Sequence, residues 1–416
     1  MKKIILIKYG EIGLKGKNRH FFESMLMENI RIATGVGARD LKHYYGRIYL
    51  RLTDEQQLIA CERALKQVFG VVGFAQAFEL PLTDNIDSLK PLIIELLQQQ
   101  ATAQTATFSI DTRRIEKNFP LESPAVNCAL GGVVLENFPH WKVNIKQPDI
   151  RVCVEIRAEG MFVYLDHQST KGPGGLPVGV SGKGLLLLSG GIDSPVAGWS
   201  LMKRGMLIDA IYFHSFPYTG DKAKEKVLDL AKILTQWKQR AIQVCIPYFT
   251  KIQETINQNC PQDSWTILHR RMMLRVAEKI AHGASPDGHY YHALITGDNL
   301  GQVASQTIQN IAVVSQATHL PILRPLISFD KQDIVTLARQ IGSYTISNRP
   351  FADCCTLFAP KNPQTKAVAA EIIAAEQKLD IDALVNEALA KMEIVKIQYP
   401  NSLALRRSPQ TQLCEN

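Results

Sequence analysis

Six consecutive residues carry the clearest chemical signal in this chain. Ser189-Gly190-Gly191-Ile192-Asp193-Ser194 follows an apolar run at residues 185–188 and precedes Pro195, a residue suited to the first turn of a helix. Strand, tight turn, helix is the implied order. Two adjacent glycines allow left-handed backbone and close approach to a ligand, and Ser189 and Ser194 offer hydroxyls. The new helix adds its unsatisfied N–H groups, so the turn reads as a nest for an anion such as a phosphate. A plain glycine turn is the alternative. A Walker loop is excluded, because no Gly-Lys followed by Ser or Thr stands at the required spacing, and a GxGxxG fingerprint is absent.

The elements that must hold this turn are legible from periodicity. After residue 184, apolar strands near 185–188, 208–214, 241–246 and 291–296 alternate with helical stretches near 195–204, 222–238 and 264–282, which predicts a doubly wound parallel sheet covered on both faces. In such a sheet the turn lies at the carboxyl edge of the strands, where ligands bind. Before it, residues 167–184 hold six glycines and two prolines and are expected to form an irregular linker. Further upstream two small α+β units are expected. The first has strands at 4–9, 44–52 and 71–78 around helices at 20–32 and 54–68. The second has helices at 86–100 and 123–137 with strands at 108–113, 143–145, 150–157 and 160–165. The predicted limits are 1–75, 76–168 (with a start near 58 as an alternative), a linker at 169–183, and 184–416.

Composition narrows the class. The 416 residues are 46% hydrophobic and 21% charged, values of a folded protein, and no apolar stretch approaches the ~20 residues that span a bilayer. No membrane association is expected. Eight cysteines without a CxxC pair suit a reducing cytoplasm rather than a disulfide scaffold. Net charge is +8, and its excess sits at the front, where residues 1–51 hold 11 basic and 4 acidic side chains. A polyanion such as nucleic acid, or simply solvent, is the counterpart of that segment.

Five ordered motifs carry a resemblance. SGGxDS resembles the pyrophosphate loop of the ATP pyrophosphatases. Together with IKYGEIGLKGKNRHFF, LHRRMMLR, TGDNLGQVASQT and DCCTLFAPKNPQTKAV it is similar to the bacterial tRNA 4-thiouridine synthetase family, in the form without a C-terminal rhodanese domain. The resemblance implies an N-terminal ferredoxin-like domain, an RNA-binding THUMP domain and a C-terminal ATP pyrophosphatase domain. It also implies ATP with Mg2+, tRNA as substrate, and a cysteine desulfurase as sulfur donor. Carried over by position, it assigns nucleotide contacts to Leu187, Leu188, Ser189, Gly190, Gly191, Asp193, Ser194, Tyr212, Phe213, Arg270, Gly297 and Gln306. Asp193 is expected to hold the magnesium of the departing pyrophosphate, with capping of the helix as its other reading.

The same resemblance makes a cysteine of the 353–368 segment the sulfur carrier, and alignment favours Cys355 over Cys354. Persulfidation of an accessible thiol is reversible and stores a nucleophilic sulfur. No iron-sulfur cluster and no protein-held metal are expected, and His289 and His292 read as loop or edge residues. Cys414 is a candidate resolving thiol, and the lack of a rhodanese domain puts a role in thiamin thiazole synthesis in doubt. Another adenylating enzyme of the same loop class, or a nucleotide-regulated RNA-binding protein, is the competing function. Oligomeric state is not fixed by the sequence, and a homodimer is compatible with it.

Overall fold

The computed structural model describes residues 2–44, 46–100, 106–283, 290–351, 360 and 362–399. Residues 1–175 and 176–401 form separate compact units.

The first unit is built on one nine-stranded sheet. Its strands are β1 Lys2–Tyr9, β2 Leu41–Tyr44, β3 Arg47–Arg51, β4 Val71–Leu80, β5 Thr107–Arg114, β6 Lys142–Val143, β7 Ile150–Arg157, β8 Gly160–Leu165 and β9 Thr170–Lys171. The order is β2-β3-β1-β4-β8-β7-β5-β6, with β9 also on β4. Helices Arg19–Thr34 and Glu55–Leu65 pack on the first strands, and Leu89–Gln98 and Ser123–Asn137 on the later ones, each pair with its own apolar cluster. The two expected α+β units therefore share a sheet. β4 pairs with β1 from Val71 to Glu79, with one register shift, and with β8 through Phe78, Glu79 and Leu80, so the expected limit at 75/76 falls inside a continuous strand. Across the join, the buried Glu155 of β7 accepts from Arg47 of β3 at 2.9 Å and from Arg157 at 2.7 Å.

Two expectations are corrected here. The strand expected at 44–52 is β3, but it forms the second arm of a hairpin whose first arm, β2, has no counterpart among the expected strands; Gly46 takes φ +80° at the turn. The stretch 167–184 is not wholly irregular. Thr170–Lys171 pairs with Gly73 and Phe74, and the Gly172 backbone lies so near Val71 that a Cβ there would meet its carbonyl oxygen at 2.3 Å.

The second unit is a three-layer α/β/α sandwich. Its strands are β10 Lys183–Leu187, β11 Leu207–Ile211, β12 Ile242–Ile246, β13 Ala293–Ile295, β14 Ile322–Leu323 and β15 Glu393–Ile397, ordered β14-β13-β10-β11-β12-β15. All pairs are parallel except β12 with β15. Helices Asp193–Lys203, Asp221–Lys238 and Lys331–Ile341 form one layer; Thr250–Asn259, Trp265–Ala281, Ile308–Ser315, Ala369–Glu376 and Ile381–Ala390 form the other. The chain winds outward from β10 to β12, then returns to the other side of β10 for β13. This reversal leaves a crevice beyond the carboxyl ends of β10 and β13, where a doubly wound sheet binds its ligands. Gly198 seats the first helix against the sheet, since a Cβ there would lie 2.6 Å from Leu186 and 3.1 Å from Ile208.

Candidate functional site

The turn after β10 is held from within. The Ser194 hydroxyl accepts from the Ser189 amide at 2.9 Å and lies 3.1 Å from the Ser189 hydroxyl, which itself accepts from the Gly191 amide at 3.2 Å. Neither Gly190 nor Gly191 has a positive φ, which corrects the expected left-handed backbone. What glycine supplies at 191 is room, because a Cβ there would stand 3.3 Å from the Ser189 hydroxyl. The helix begins at Asp193 with Ile192 at its cap position and no side-chain cap. The Asp193 carboxylate is thus not spent on capping; it accepts from Gln302 at 2.8 Å and pairs with Lys331 at 2.5 Å.

The strand end of β13 closes the opposite wall. A Cβ on Gly297 would come within 2.8 Å of the Ser194 amide nitrogen and 2.9 Å of the Asp193 carbonyl carbon. Gly297 therefore lets two loops touch backbone to backbone. Beside it the buried Asp298 accepts from Thr296 at 2.9 Å and from Arg324 at 3.1 Å, and pairs with Arg270, which also donates to the Ser305 hydroxyl at 3.2 Å. Burial pushes the Asp298 carboxyl up, but Arg270, Thr296 and Arg324 outweigh it and hold it below the ordinary range. His269, on the same helix as Arg270, is driven the other way: burial lowers its pKa to about 4 despite a backbone hydrogen bond to Gln253, so it is neutral at pH 7.

Leu187, Leu188, Ser189, Gly191, Asp193, Ser194, Tyr212, Phe213, Arg270, Gly297 and Gln306 all line one cavity of about 280 Å³, and Gly190 is buried in the same turn. Apolar strand ends, a neutral imidazole and the uncapped start of the helix at Asp193 suit a flat base at one end and phosphates at the other. Sequence reasoning did not single out Thr296, Asp298, His269, Gln253, Ser305 or Lys331. Cys354, Cys355, Cys414 and His289 lie outside the described residues; the His292 ring accepts from the Lys183 amide at 3.3 Å. Among the described residues no group of three or more His, Cys, Asp or Glu side chains is arranged to hold a metal, and no helix is long and apolar enough to cross a membrane.

A doubly wound sheet with an SGGxDS turn at its reversal point defines an ATP pyrophosphatase, or PP-loop, domain. Family comparisons agree along the chain: residues 4–75 match the ThiI ferredoxin-like domain, 83–166 the THUMP domain, and 179–381 the family described as thiamine biosynthesis protein (ThiI). A Coxiella burnetii protein named probable tRNA sulfurtransferase is 58% identical over 96% of this chain and 100% of its own. A Halothermothrix orenii protein of the same name is 46% identical over 96% and 100%. The chain belongs to the tRNA sulfurtransferase family. Among solved structures, a 4-thiouridine synthetase in complex with RNA and bound ATP superposes with a TM-score of 0.86 at 35% identity, covering 96% of this chain and 100% of that one.

Proposed function

We propose that this chain transfers sulfur to uridine 8 of tRNA in an ATP-dependent reaction that gives 4-thiouridine. The observation that carries the reading is the convergence of the 189–194 turn, Arg270 and the strand ends of β10, β11 and β13 on a single cavity. In the first step the uridine C4 oxygen attacks the α-phosphorus of ATP, and pyrophosphate leaves into the 189–194 turn. Its charge is met there by N–H dipoles that are already oriented, so little reorganisation is needed. Arg270 has donors at the same wall, and Leu187, Leu188, Tyr212 and Phe213 supply the apolar side against which an adenine would lie.

Magnesium fits this site as an ion that keeps several waters and takes one carboxylate plus substrate phosphates. Asp193 is the carboxylate at the mouth of the turn and already attracts the Lys331 ammonium; it would hold the metal, which neutralises charge on the departing phosphates.

In the second step the terminal sulfur of a persulfide on Cys355 bonds to C4 and AMP departs with the oxygen. The remaining S–S bond between that sulfur and Cys355 is cleaved by a second thiol, which leaves 4-thiouridine and a disulfide that an external dithiol reduces. A cysteine desulfurase loads the persulfide in the cytoplasm. We assign 1–75 and 76–168 to tRNA capture, 169–183 to the connection and 184–416 to chemistry. Capture is by shape and backbone, since the A-form major groove is too narrow to read. The test mixes the purified protein with unmodified tRNA, Mg-ATP, cysteine and a desulfurase, then analyses the nucleosides. 4-Thiouridine is expected, and its absence with folded protein refutes the proposal.

A further inference from the structure

The chain leading to the cysteine pair is tied down at two points. The short helix Tyr344–Ser347 ends against the PP-loop, where the Ser347 hydroxyl, on a buried residue, donates to the Gly191 carbonyl at 3.1 Å. Two and four residues on, the Lys226 ammonium of helix Asp221–Lys238 donates to the carbonyls of Arg349 at 3.1 Å and Phe351 at 3.3 Å. Lys226 is 5% exposed. A buried ammonium is costly unless its protons are taken up, so a lysine spent on backbone carbonyls has a fixed task. Two further contacts lie alongside: Arg349 pairs with Asp229 at 2.5 Å, and Lys222 stands 5.8 Å from the Phe351 ring centre. Phe351 is three residues before Cys354 and four before Cys355, so its anchored carbonyl limits the backbone of either cysteine to a tether of roughly 10 to 14 Å.

We propose that Lys226 and Ser347 are positioning residues for the sulfur-transfer step. They fix the root of the cysteine segment to the same loop that receives pyrophosphate, so that the attacking sulfur and the activated uridine share one frame. Neither lines the cavity, but Ser347 bonds to Gly191, which does, so a clean separation of the two steps is expected of Lys226. The inference rests on the proposed thiolation chemistry, but it holds whichever of the two cysteines carries the sulfur, because both follow the anchor.

The experiment separates the two steps in the full-length protein. Pyrophosphate release with Mg-ATP and tRNA reports adenylation. Single-turnover 4-thiouridine formation by protein preloaded with a desulfurase and cysteine, in the presence of a dithiol, reports transfer. Lys226→Met is expected to lower the transfer rate by about 10- to 100-fold, the loss of one strong positioning contact, with pyrophosphate release within threefold of the parent, whereas Ser347→Ala, which also releases the Gly191 carbonyl, lowers both steps but transfer about tenfold more. Lys226→Arg, which keeps the donors, should recover most of the transfer rate. Ser347→Ala leaves no buried charge unpaired, and a larger fall in transfer than in pyrophosphate release decides the matter if Lys226→Met does not fold. Transfer within threefold of the parent in both variants overturns the proposal, as does an equal fall in both steps. Cys355→Ser is the control on the underlying chemistry: if it still thiolates at the parent rate, the cysteine assignment fails, while the anchor is still judged by the ratio of the two steps.

Discussion

Gly297→Ala tests whether the walls of the cavity depend on direct contact between two loops. The added methyl would sit 2.8 Å from the Ser194 amide nitrogen, 2.9 Å from the Asp193 carbonyl carbon and 3.1 Å from the Asp193 Cβ. Two of these three are backbone atoms at the start of a helix, and they cannot rotate away. Opening the contacts to an ordinary ~3.4 Å moves one loop by roughly 0.6 Å, and overpacking of this kind costs about 1–3 kcal/mol. For a unit of about this size that lowers the melting temperature by roughly 2–4 °C per kcal/mol. The same displacement pulls the N–H groups of the turn off the phosphates. Loss of about one charge-assisted hydrogen bond, ~1.5–3 kcal/mol, raises the dissociation constant for Mg-ATP about 10- to 100-fold. Calorimetric titration with Mg-ATP and a thermal melt measure both effects. Gly220→Ala is the control, because a Cβ there meets nothing within 4 Å. If Gly297→Ala binds nucleotide within threefold of the parent and melts unchanged, the two loops are not in load-transmitting contact and the reasoning is wrong.

Two other consequences can be measured. His269 has a folded pKa near 4 against an ordinary 6.5, so the unfolded chain takes up a proton that the folded one refuses; its contribution to stability is whole above pH 6.5 and falls as pH drops toward 4, by up to roughly 3 kcal/mol. Urea midpoints at pH 7 and pH 4.5 should differ less in His269→Phe than in the parent, and the depressed Asp298 carboxyl, present in both proteins, cancels from the comparison. In the N-terminal unit, Lys15→Ala with Lys17→Ala should weaken tRNA binding and flatten the slope of log K against log salt by roughly 1.5; an unchanged slope would place the phosphate contacts elsewhere.

What could be read in advance depended on whether the signal was local. The run Leu185 to Leu188 followed by Gly-Gly and Pro195 announces strand, turn and helix within a dozen residues, and the cavity forms around that turn. Gly46, by contrast, stood in plain view in an alternating stretch and marks a hairpin only through its positive φ. β15 has no signal of its own: Glu393–Ile397 is short and half exposed, and it becomes a strand by pairing with Ile242–Ile246, some 150 residues earlier. Asp298 and His269 look like ordinary polar residues in sequence. Their importance lies in who surrounds them once buried, which no spacing reveals; the one available hint for Asp298 is its place just beyond a strand end.

β4 has a mechanical meaning that reaches beyond pairing. Because one unbroken strand serves as the spine of both N-terminal modules, turning one against the other would require tearing out backbone hydrogen bonds rather than flexing a hinge. The basic loop at residues 10–19 and the strands of the second module therefore stand at a set separation, like the jaws of a locked caliper. Under the proposed function a tRNA would be gauged by its dimensions before any chemistry begins, and the two modules should melt in a single step.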